Sequence, residues 1–319
     1  MAHKIAIIGL GIMGRRLLGR ILEHPAFEPV ALWDPSEAAC KKAAEEAPGV
    51  PIVESAAAAI AAADVVYLAC PPVPRKAYAL EAAAAGKAVF LEKPLGVDIE
   101  ESRDLVEKLK ASGVPAAVNF TQAAGKALAT VQEAIASGAT GALSNINIIV
   151  TYPAWPRAWQ VDADWLRFKD EGGYTREVIS HFVFLSERIL GRTKLVWAKP
   201  SYPADPALCE TQVLARLENE AGVPVSILGS VGGVQPDRQE VYLNFEKTGY
   251  LVAEFYRLFQ SDGGAWKEIL DPPADPRKIS LGAQLDALDD LLSGRPSKLA
   301  TLDDAFSVQQ KIEGMLAGV

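Results

Sequence analysis

The first 120 residues alternate short apolar runs with longer stretches of helical periodicity. Residues 5–8, 29–33, 65–69, 88–91 and 116–119 are almost wholly apolar, which predicts strands covered by helices on both faces. Helices are predicted between them at 14–23, 36–46, 73–85 and 99–111, and the alanine-rich run 56–63 also predicts a helix. This alternation indicates βαβ units and a doubly wound parallel sheet.

The pattern changes after residue 121. A helix is predicted at 126–136, a strand at 144–151, and a long helix at 174–190 that follows an irregular stretch, 152–173. Five further runs, at 194–199, 211–217, 223–231, 240–244 and 250–255, have strand character. Several of them alternate apolar and polar positions, which predicts an open, mainly antiparallel sheet with one covered face. Helices at 281–292 and 302–316 close the chain. We therefore predict two domains, residues 1–120 and 121–319, and the C-terminal helix could pack back on the first.

Composition narrows the classes of partner. The chain has 319 residues, half of them apolar, which is enough for two hydrophobic cores. Its net charge of -8 and the lack of a basic block argue against nucleic acid, because phosphate binding needs clustered Lys and Arg. The apolar run 5–10 is too short and too rich in glycine for a signal segment or a membrane span. We expect a cytoplasmic protein that binds neither nucleic acid nor membranes.

The cysteines point to neither disulfides nor metal. Cys40, Cys70 and Cys209 are far apart in the sequence, odd in number and without C-x-x-C or Cys/His spacing. Such a set suits buried thiols in a reducing compartment. No metal site is predicted.

A glycine motif stands where the first strand meets the first helix. Gly9, Gly11 and Gly14 form G-x-G-x-x-G. In this context the first glycine allows a tight turn, the second lets backbone approach a pyrophosphate, and the third lets helix and strand pack closely. The helix N-terminus adds N–H donors and a positive dipole end. The motif predicts a Rossmann dinucleotide site, and Ile12 and Met13 lie within it.

Asp34 follows Gly14 by 20 residues, at the end of the second predicted strand. An acidic side chain there can accept hydrogen bonds from the adenosine ribose hydroxyls, and it would repel a 2′-phosphate. NAD is therefore favoured as cofactor. NADP stays open, because Ser36, Lys41 or Lys42 could assist a phosphate. Asp34 could also serve as the N-cap of the helix that begins near Ser36.

Lys93 is the first candidate for the chemistry. It follows the predicted strand 88–91, at the carboxyl end where open α/β sheets bind ligands. Its ammonium could hydrogen-bond a substrate oxygen and exchange a proton with it. The alternative is an ordinary solvated loop lysine.

His181 and Glu177 are the second pair of candidates. They lie four residues apart in the predicted helix 174–190, and this spacing puts both on one helix face. Histidine titrates near neutral pH and suits the proton half of a hydride transfer. The alternatives are a helix-surface Glu/His pair or a core histidine bound to a carbonyl group.

These motifs occur in one order along the chain: G-x-G-x-x-G, Asp34, the segment GKAVFLEKPL at 86–95, and the stretch from Gly172 through Glu177 to His181. The chain thus resembles the glucose-fructose oxidoreductase and inositol dehydrogenase family, Gfo/Idh/MocA, over nearly its whole length. The resemblance implies a Rossmann domain (1–120) joined to an α+β substrate-binding and oligomerisation domain (121–319) with an open-faced sheet. It implies a homo-oligomer, dimer or tetramer, formed through that sheet.

The resemblance also implies roles for single residues. The motif lysine, Lys93, and the downstream His181 line the substrate site in that family, with Glu177 beside His181. The expected cofactor contacts are Gly9, Gly11, Ile12, Met13, Gly14, Asp34, Pro71, Glu92 and Lys93. The expected substrate contacts are Asn119, Trp155, Trp159, Trp165 and Arg176. The tryptophans could also be ordinary aromatic core.

The chain departs from the family pattern at four positions. Glu177 stands where Asp is usual, Ile179 where Gly is usual, Arg75 in the usual place of a histidine, and Thr121 in place of a frequent arginine. These departures indicate an altered pocket. A substrate other than a common sugar is therefore plausible.

The leading hypothesis is an NAD(P)-dependent oxidoreductase that moves a hydride between nicotinamide and a carbinol or carbonyl carbon of a sugar, polyol or related cyclic compound. A cyclic imine reductase and a non-catalytic NAD(P)-binding sensor are the alternatives. The start GLGIMG at 9–14 also resembles the β-hydroxyacid dehydrogenases. The strand-rich stretch 194–255 argues against that family, because its second domain is all-helical.

Overall fold

The computed structural model describes residues 2–271 and 274–319. The chain forms two compact units: the residues up to Phe120 together with Leu281–Phe306, and Thr121–Ser280 together with Ser307–Val319. Residues 281–306, which we predicted in the second domain, thus belong to the first unit. Among the described residues, no helix combines the length and apolarity needed to cross a bilayer.

The first unit is built on a five-stranded parallel sheet with the strand order β2-β1-β3-β4-β5. Its elements up to Phe120 are β1 His3–Ile8, α1 Ile12–Ile21, β2 Phe27–Trp33, α2 Glu37–Glu46, α3 Ala56–Ala62, β3 Val65–Leu68, α4 Pro72–Ala84, β4 Ala88–Glu92, α5 Ile99–Ser112 and β5 Ala116–Asn119. The doubly wound parallel sheet is confirmed.

Burial explains why these segments form this sheet. Strands β3 and β4 are buried along their whole length, as expected for parallel strands with helices on both faces. Small residues let the helices pack closely, and Ala59, Ala79 and Ala82 have no exposed surface. Ser36 and Ser55 accept hydrogen bonds from backbone N–H groups at the starts of α2 and α3, which stabilises both helix ends.

Residues 281–306 contact the rest of the first unit near the end of β5. The backbone nitrogen of Val118 donates to the carbonyl of Ala300 at 2.9 Å, and Gln284 Nε2 donates to the carbonyl of Phe120 at 2.8 Å. The two closing helices are α8 (Pro276–Leu292) and α9 (Leu302–Ala317). The end of α9 belongs to the second unit, where Lys311 forms an ion pair with Glu187 at 3.0 Å.

The second unit contains an eight-stranded sheet of order β13-β12-β11-β10-β6-β9-β8-β7, antiparallel except for the β6–β9 pair. Its strands are β6 Leu143–Tyr152, β7 Thr193–Ser201, β8 Gln212–Asn219, β9 Pro224–Val231, β10 Arg238–Phe245, β11 Gly249–Ala253, β12 Arg257–Ser261 and β13 Lys267–Glu268. Helices α6 (Lys126–Ala136) and α7 (Ser180–Leu190) complete it. The open, mainly antiparallel sheet is confirmed. Strands β12 and β13 were not predicted.

The first part of the predicted helix 174–190 is wound differently from an α-helix. Thr175–Ile179 forms a π-helical segment, and α7 follows it directly. Ser180 Oγ donates to the carbonyl of Arg176 at 2.6 Å within this segment. Single π-helical turns are frequent at functional sites. The segment therefore makes this region a candidate functional site.

Ile179 and Gly229 compensate for each other in the core of the second unit. Ile179, where the family usually has Gly, is fully buried. A Cβ at Gly229 of β9 would lie 2.9 Å from Ile179 Cδ1 and 2.8 Å from the ring of Tyr174. The large side chain on the helical segment thus occupies space that the glycine of the facing strand leaves open.

The predicted strand 250–255 is wrong at its end, because β11 stops at Ala253. Glu254 and Phe255 have left-handed backbones, with φ of 53° and 69°. This conformation is uncommon for side chains other than glycine and turns the chain sharply into β12. The apolar pattern continues through the turn because Phe255 packs its ring against Phe182, at 4.9 Å between centroids.

Candidate active site

The glycine motif meets the packing demands expected of it. Gly9 has φ +98°, and a Cβ there would collide with the backbone of Cys70. A Cβ at Gly14 would collide with the carbonyl of Gly9. Both positions therefore require glycine for the turn itself. A Cβ at Gly11 would meet nothing within 4 Å, so the fold does not explain this glycine, whereas the approach of a ligand would.

The N-terminus of α1 is a suitable site for an anion. Gly11 is its N-cap, no side chain of the described chain caps it, and its first turn carries no acidic residue. The N–H groups at the start of a helix lack intrahelical partners and favour phosphate groups. The residues here, Ile12 and Met13 included, fit the pyrophosphate of a dinucleotide.

Asp34 lies at the end of β2 and contacts this turn. Its Oδ2 accepts a hydrogen bond from the backbone nitrogen of Leu10 at 2.7 Å, and its Oδ1 accepts one from that of Ser36 at 2.8 Å. Ser36, and not Asp34, is the N-cap of α2. Because a carboxylate has about four acceptor positions, Asp34 retains capacity for ribose hydroxyls while holding the glycine turn.

Gly11→Ala tests the cofactor site directly. We expect the variant to fold as the wild type does, since the new Cβ meets no atom of the protein, and to bind NADH at least about tenfold more weakly, because the methyl group occupies the approach of the pyrophosphate. The measurement is a titration of NADH fluorescence. Gly19→Ala on the same helix, where a Cβ also meets nothing within 4 Å, is the control and should bind normally. Equal affinities in the two variants would contradict this placement.

Lys93 follows β4 directly and is buried. The carboxylate of its neighbour Glu92 accepts hydrogen bonds from Tyr67 Oη and from Asn119 Nδ2, the latter at 2.7 Å. Burial raises the pKa of Glu92, while the hydrogen bond from Tyr67 and the charge of Lys93 oppose that shift. Burial and the Glu92 carboxylate raise the pKa of Tyr67. Three neighbouring strands thus fix the peptide that precedes Lys93.

Arg75 binds the backbone on both sides of Lys93. Its guanidinium is buried and donates to the carbonyl oxygens of Cys70, Glu92 and Pro94, with Nη1 2.7 Å from Glu92 O. The Cys70 carbonyl lies just beyond the end of β3, and the carbonyls of Glu92 and Pro94 flank Lys93. Arg75 is therefore a structural bridge between two strand ends. Pro71 lies beside it as the exposed N-cap residue of α4.

Glu177 is more exposed to solvent than its neighbours in the second unit. Every residue from 172 to 187 is buried except Glu177, which is half-buried. The segment is anchored by buried Glu210, whose Oε1 accepts a hydrogen bond from the backbone nitrogen of Thr175 at 2.8 Å. Within this run, the Glu177 side chain alone reaches toward solvent.

His181 lies at the start of α7, four residues after Glu177, and is buried. Its ring meets the ring of Phe255 edge to face, with centroids 5.3 Å apart at 88°. The left-handed backbone at Phe255 thus positions a ring that fixes the imidazole. Strained backbone persists where surrounding contacts hold it, often near functional sites. Sequence reading placed Phe255 in a strand and missed this contact.

The polar groups of Arg176 and Trp155 form hydrogen bonds with other residues of the protein. Arg176 forms a two-pronged pair with Glu313, at 2.8 and 2.7 Å, and donates to the carbonyls of Lys169 and Gly172. Trp155 Nε1 donates to the carbonyl of Leu166 at 2.9 Å. These contacts hold the irregular stretch 152–173. Neither side chain offers these groups to a substrate.

The other two predicted tryptophans are more accessible. Trp159 is exposed and Trp165 half-buried, each in a short 3₁₀ turn. The guanidinium of Arg157 lies between aromatic rings, with Cζ 4.6 Å from the centroid of Trp159, 5.0 Å from that of Tyr152 and 5.6 Å from that of Trp155. Arg157 was not predicted as a site residue, although its place among tryptophans was the available signal.

The structure brings several of the predicted residues together within each unit. In the first unit the glycine motif contacts Asp34, and Glu92 joins Asn119. In the second unit Glu177 and His181 share one helical stretch. In residues 2–271 and 274–319 no cluster of His, Cys, Asp and Glu is suited to a metal ion.

Comparison with known proteins agrees with this geometry. The family described as "Oxidoreductase family, NAD-binding Rossmann fold", Gfo/Idh/MocA, matches residues 3–120. Inositol 2-dehydrogenase of Pseudomonas savastanoi pv. phaseolicola is 39% identical over 117 residues, which are 35% of this chain and 35% of that protein. The aligned stretch thus spans about a third of the length of this curated relative.

Solved structures extend the likeness to the whole chain. UDP-N-acetylglucosamine 3-dehydrogenase of Acidithiobacillus ferrooxidans has a TM-score of 0.81 at 17% identity, covering 100% of this chain and 98% of that one. The WlbA dehydrogenase of Bordetella pertussis, in complex with NADH and UDP-GlcNAcA, has a TM-score of 0.80 at 22% identity, covering 96% and 92%. At these identities the likeness shows a shared fold. Residues 3–120 thus match the Gfo/Idh/MocA oxidoreductase family with its NAD-binding Rossmann fold.

Proposed function

We propose that this protein is an NAD(P)-dependent oxidoreductase that transfers a hydride between nicotinamide and a carbinol or carbonyl carbon of a sugar, polyol or related cyclic compound. The proposal depends mainly on the N-terminus of α1, which no side chain of the described residues caps. Gly11 leaves space there for a ligand, and Asp34 accepts a hydrogen bond from the adjoining glycine turn. The similarity of the first unit to inositol 2-dehydrogenases supports the substrate class.

The cofactor would be held by the first unit. Gly9, Gly11 and Gly14 with the N–H groups of Ile12 and Met13 would bind the pyrophosphate. Asp34 would accept hydrogen bonds from the ribose, which favours NAD. Pro71 would border the cofactor at the end of β3, and Glu92 would act by fixing Lys93. When bound, the nicotinamide supplies the acceptor or donor of the hydride.

The proton that accompanies the hydride would be handled by side chains. Lys93 would donate a hydrogen bond to the reacting oxygen, because a buried ammonium stabilises charge that develops there. His181 would take up or release the proton, the usual role of an imidazole in general acid–base catalysis. Glu177 would orient His181 or a neighbouring hydroxyl group of the substrate.

Substrate contacts are assigned by accessibility. Trp159 and Trp165 would provide apolar ring faces to the substrate. Asn119, Trp155 and Arg176 would position the site, because each donates its hydrogen bonds to the protein itself. We also propose a cytoplasmic location, in line with cysteines that suit a reducing compartment.

We further propose a homo-oligomer formed through the outer face of the second unit's sheet. The pairing of β7, β8 and β9 places Trp197 and Leu228 on that face, and both are more than 40% exposed. Large exposed apolar side chains commonly mark interfaces. Sedimentation that reports only a single 34.1 kDa chain would contradict this part.

The deciding experiment is a fluorescence titration with NADH and NADPH, followed by a spectrophotometric screen of sugars, polyols, ketones and cyclic imines. Tighter binding of NADH and turnover of a sugar or polyol are expected. Turnover of imines alone would replace the proposed chemistry by imine reduction. Binding without any turnover would indicate a sensor, and failure to bind either dinucleotide would overturn the proposal.

A further inference from the structure

The irregular stretch 152–173 carries a guanidinium held in a fixed orientation. The backbone nitrogen and Nε of Arg157 both donate to Gln160 Oε1, at 3.2 and 3.0 Å, and Gln160 is buried. The rings of Tyr152, Trp155 and Trp159 surround the same guanidinium. The group is therefore oriented before any ligand arrives, which lowers the entropic cost of binding.

Arg157 has no acidic partner among the residues that the structure describes. Its hydrogen bonds go to Gln160, and within residues 2–271 and 274–319 neither Nη atom has an acceptor. The neighbouring arginines differ, because Arg167 pairs with Asp164 at 2.8 Å and Arg176 with Glu313 at 2.7 Å. Arg157 therefore differs from these two neighbours in having no carboxylate partner among the described residues.

A second arginine meets the same indole. Arg277 is exposed, and its Cζ lies 5.4 Å from the centroid of Trp159. Among the described residues Arg277 forms no ion pair and no side-chain hydrogen bond, and it contacts this ring. Two guanidinium groups on one indole repel each other. An anion bound to both would remove that repulsion, and its oxygens match the planar donor pairs of arginine.

Arg157 is linked through aromatic rings to the segment that carries Glu177. Its Cζ lies 5.6 Å from the centroid of the Trp155 ring, and that ring lies 6.1 Å from the ring of Tyr174, which directly precedes the π-helical segment. Tyr152, whose ring contacts Arg157, is fully buried, and burial raises its pKa; the charge of Arg157 opposes this shift, while Asp237 and Glu177 reinforce it. The Tyr152 phenol thus senses both the guanidinium and the Glu177 carboxylate. Arg157 and the candidate catalytic segment thus contact the same group of aromatic rings.

We propose that Arg157 and Arg277, which both contact the Trp159 ring, form a subsite for an anionic group on the substrate, so that the preferred substrate is a sugar or polyol derivative bearing a carboxylate or a phosphate. This inference rests on the proposed function, since it names the substrate class of the same site. The anionic group anchors the molecule on the arginine pair and leaves its neutral hydroxyl-bearing carbons for the reaction.

The test is isothermal titration of the full-length, NADH-loaded protein with D-glucuronate and with inorganic phosphate, and D-glucose serves as the neutral counterpart. We expect the wild type to bind an anion more tightly than D-glucose. Arg157→Gln and Arg277→Gln should each weaken that binding about tenfold, the loss of one charge-assisted hydrogen-bonding partner. The stronger of the two anions identifies carboxylate or phosphate as the recognised group.

Arg167→Gln is the matched control, because Arg167 lies in the same stretch and stacks on Phe168 but already has Asp164 as partner. Its anion affinity should equal that of the wild type. Arg277 is exposed, so its variant keeps the inference testable if Arg157→Gln unfolds. Anion affinity that does not depend on Arg277, or no preference over D-glucose, would overturn the inference. Turnover of neutral sugars without any effect of these variants would overturn it while the proposed function stands. Arginine-dependent anion binding without turnover of any compound would support the anion subsite and overturn the proposed function.

Discussion

Lys93→Met and His181→Asn are each expected to lower kcat/KM by about 100- to 10,000-fold, the range for loss of a positioned proton donor or acceptor. NADH affinity should stay close to that of the wild type, because the glycine turn and Asp34 are untouched. Lys93 is buried at the end of β4 and His181 is buried at the start of α7. Steady-state kinetics with the best substrate from the screen, together with NADH titration, measure both quantities.

Each variant has a matched control. Lys87 lies just before β4, at the opposite end of the strand from Lys93, so Lys87→Met removes a lysine from the same strand without reaching the carboxyl edge. His24 pairs with Asp286 at 3.1 Å in the first unit, and His24→Asn should retain turnover. Wild-type turnover in both Lys93→Met and His181→Asn would reject the assignment of these two residues.

Arg75→Met is expected to lower the free energy of unfolding by about 3 kcal/mol or more, since each buried carbonyl left without a donor costs about 1–3 kcal/mol. The guanidinium serves three such carbonyls, those of Cys70, Glu92 and Pro94, and Met roughly fills its volume without replacing any hydrogen bond. Thermal or urea unfolding followed by circular dichroism measures the change. Because two of these carbonyls flank Lys93, kcat should fall as well.

Arg103→Met provides the comparison for Arg75→Met. Arg103 lies on the exposed side of α5 with a surface pair to Glu100 at 3.3 Å, and surface changes of this kind usually shift stability by no more than about 0.5 kcal/mol. If Arg75→Met unfolded at the same temperature as Arg103→Met, Arg75 would not be the bridge between the ends of β3 and β4.

Local patterns predicted most elements of the fold. Strand β5 (Ala116–Asn119) and helix α6 (Lys126–Ala136) have the predicted bounds, because their apolar spacing and glycine punctuation are short-range signals. Strand β12 (Arg257–Ser261) was missed. Several of its residues are polar, and it follows a turn at Phe255. Residue propensities do not predict the left-handed backbone of that turn. Its strand state depends on pairing with β11.

The cofactor site was accessible to sequence reading for the same reason. Gly9, Gly11, Gly14 and Asp34 act through backbone geometry and a fixed spacing, which the sequence shows directly. The surroundings of Lys93 were not accessible. Tyr67 and Asn119 reach the Glu92 carboxylate from the two strands beside β4, and only the order of strands in the sheet makes them neighbours.

The sequence by itself determined the two sheet types, the dinucleotide motif and the identities of the titratable candidates, because these follow from periodicity and residue chemistry along the chain. The tertiary structure alone decided how those candidates are supported. It assigned Arg75 to three carbonyls, packed Phe255 against His181 and gave the Arg157 guanidinium ring contacts but no acidic partner within the part of the chain that it describes. Burial and hydrogen-bond partners arise between segments distant in sequence, so they become visible only once the sheets have set the register of their strands.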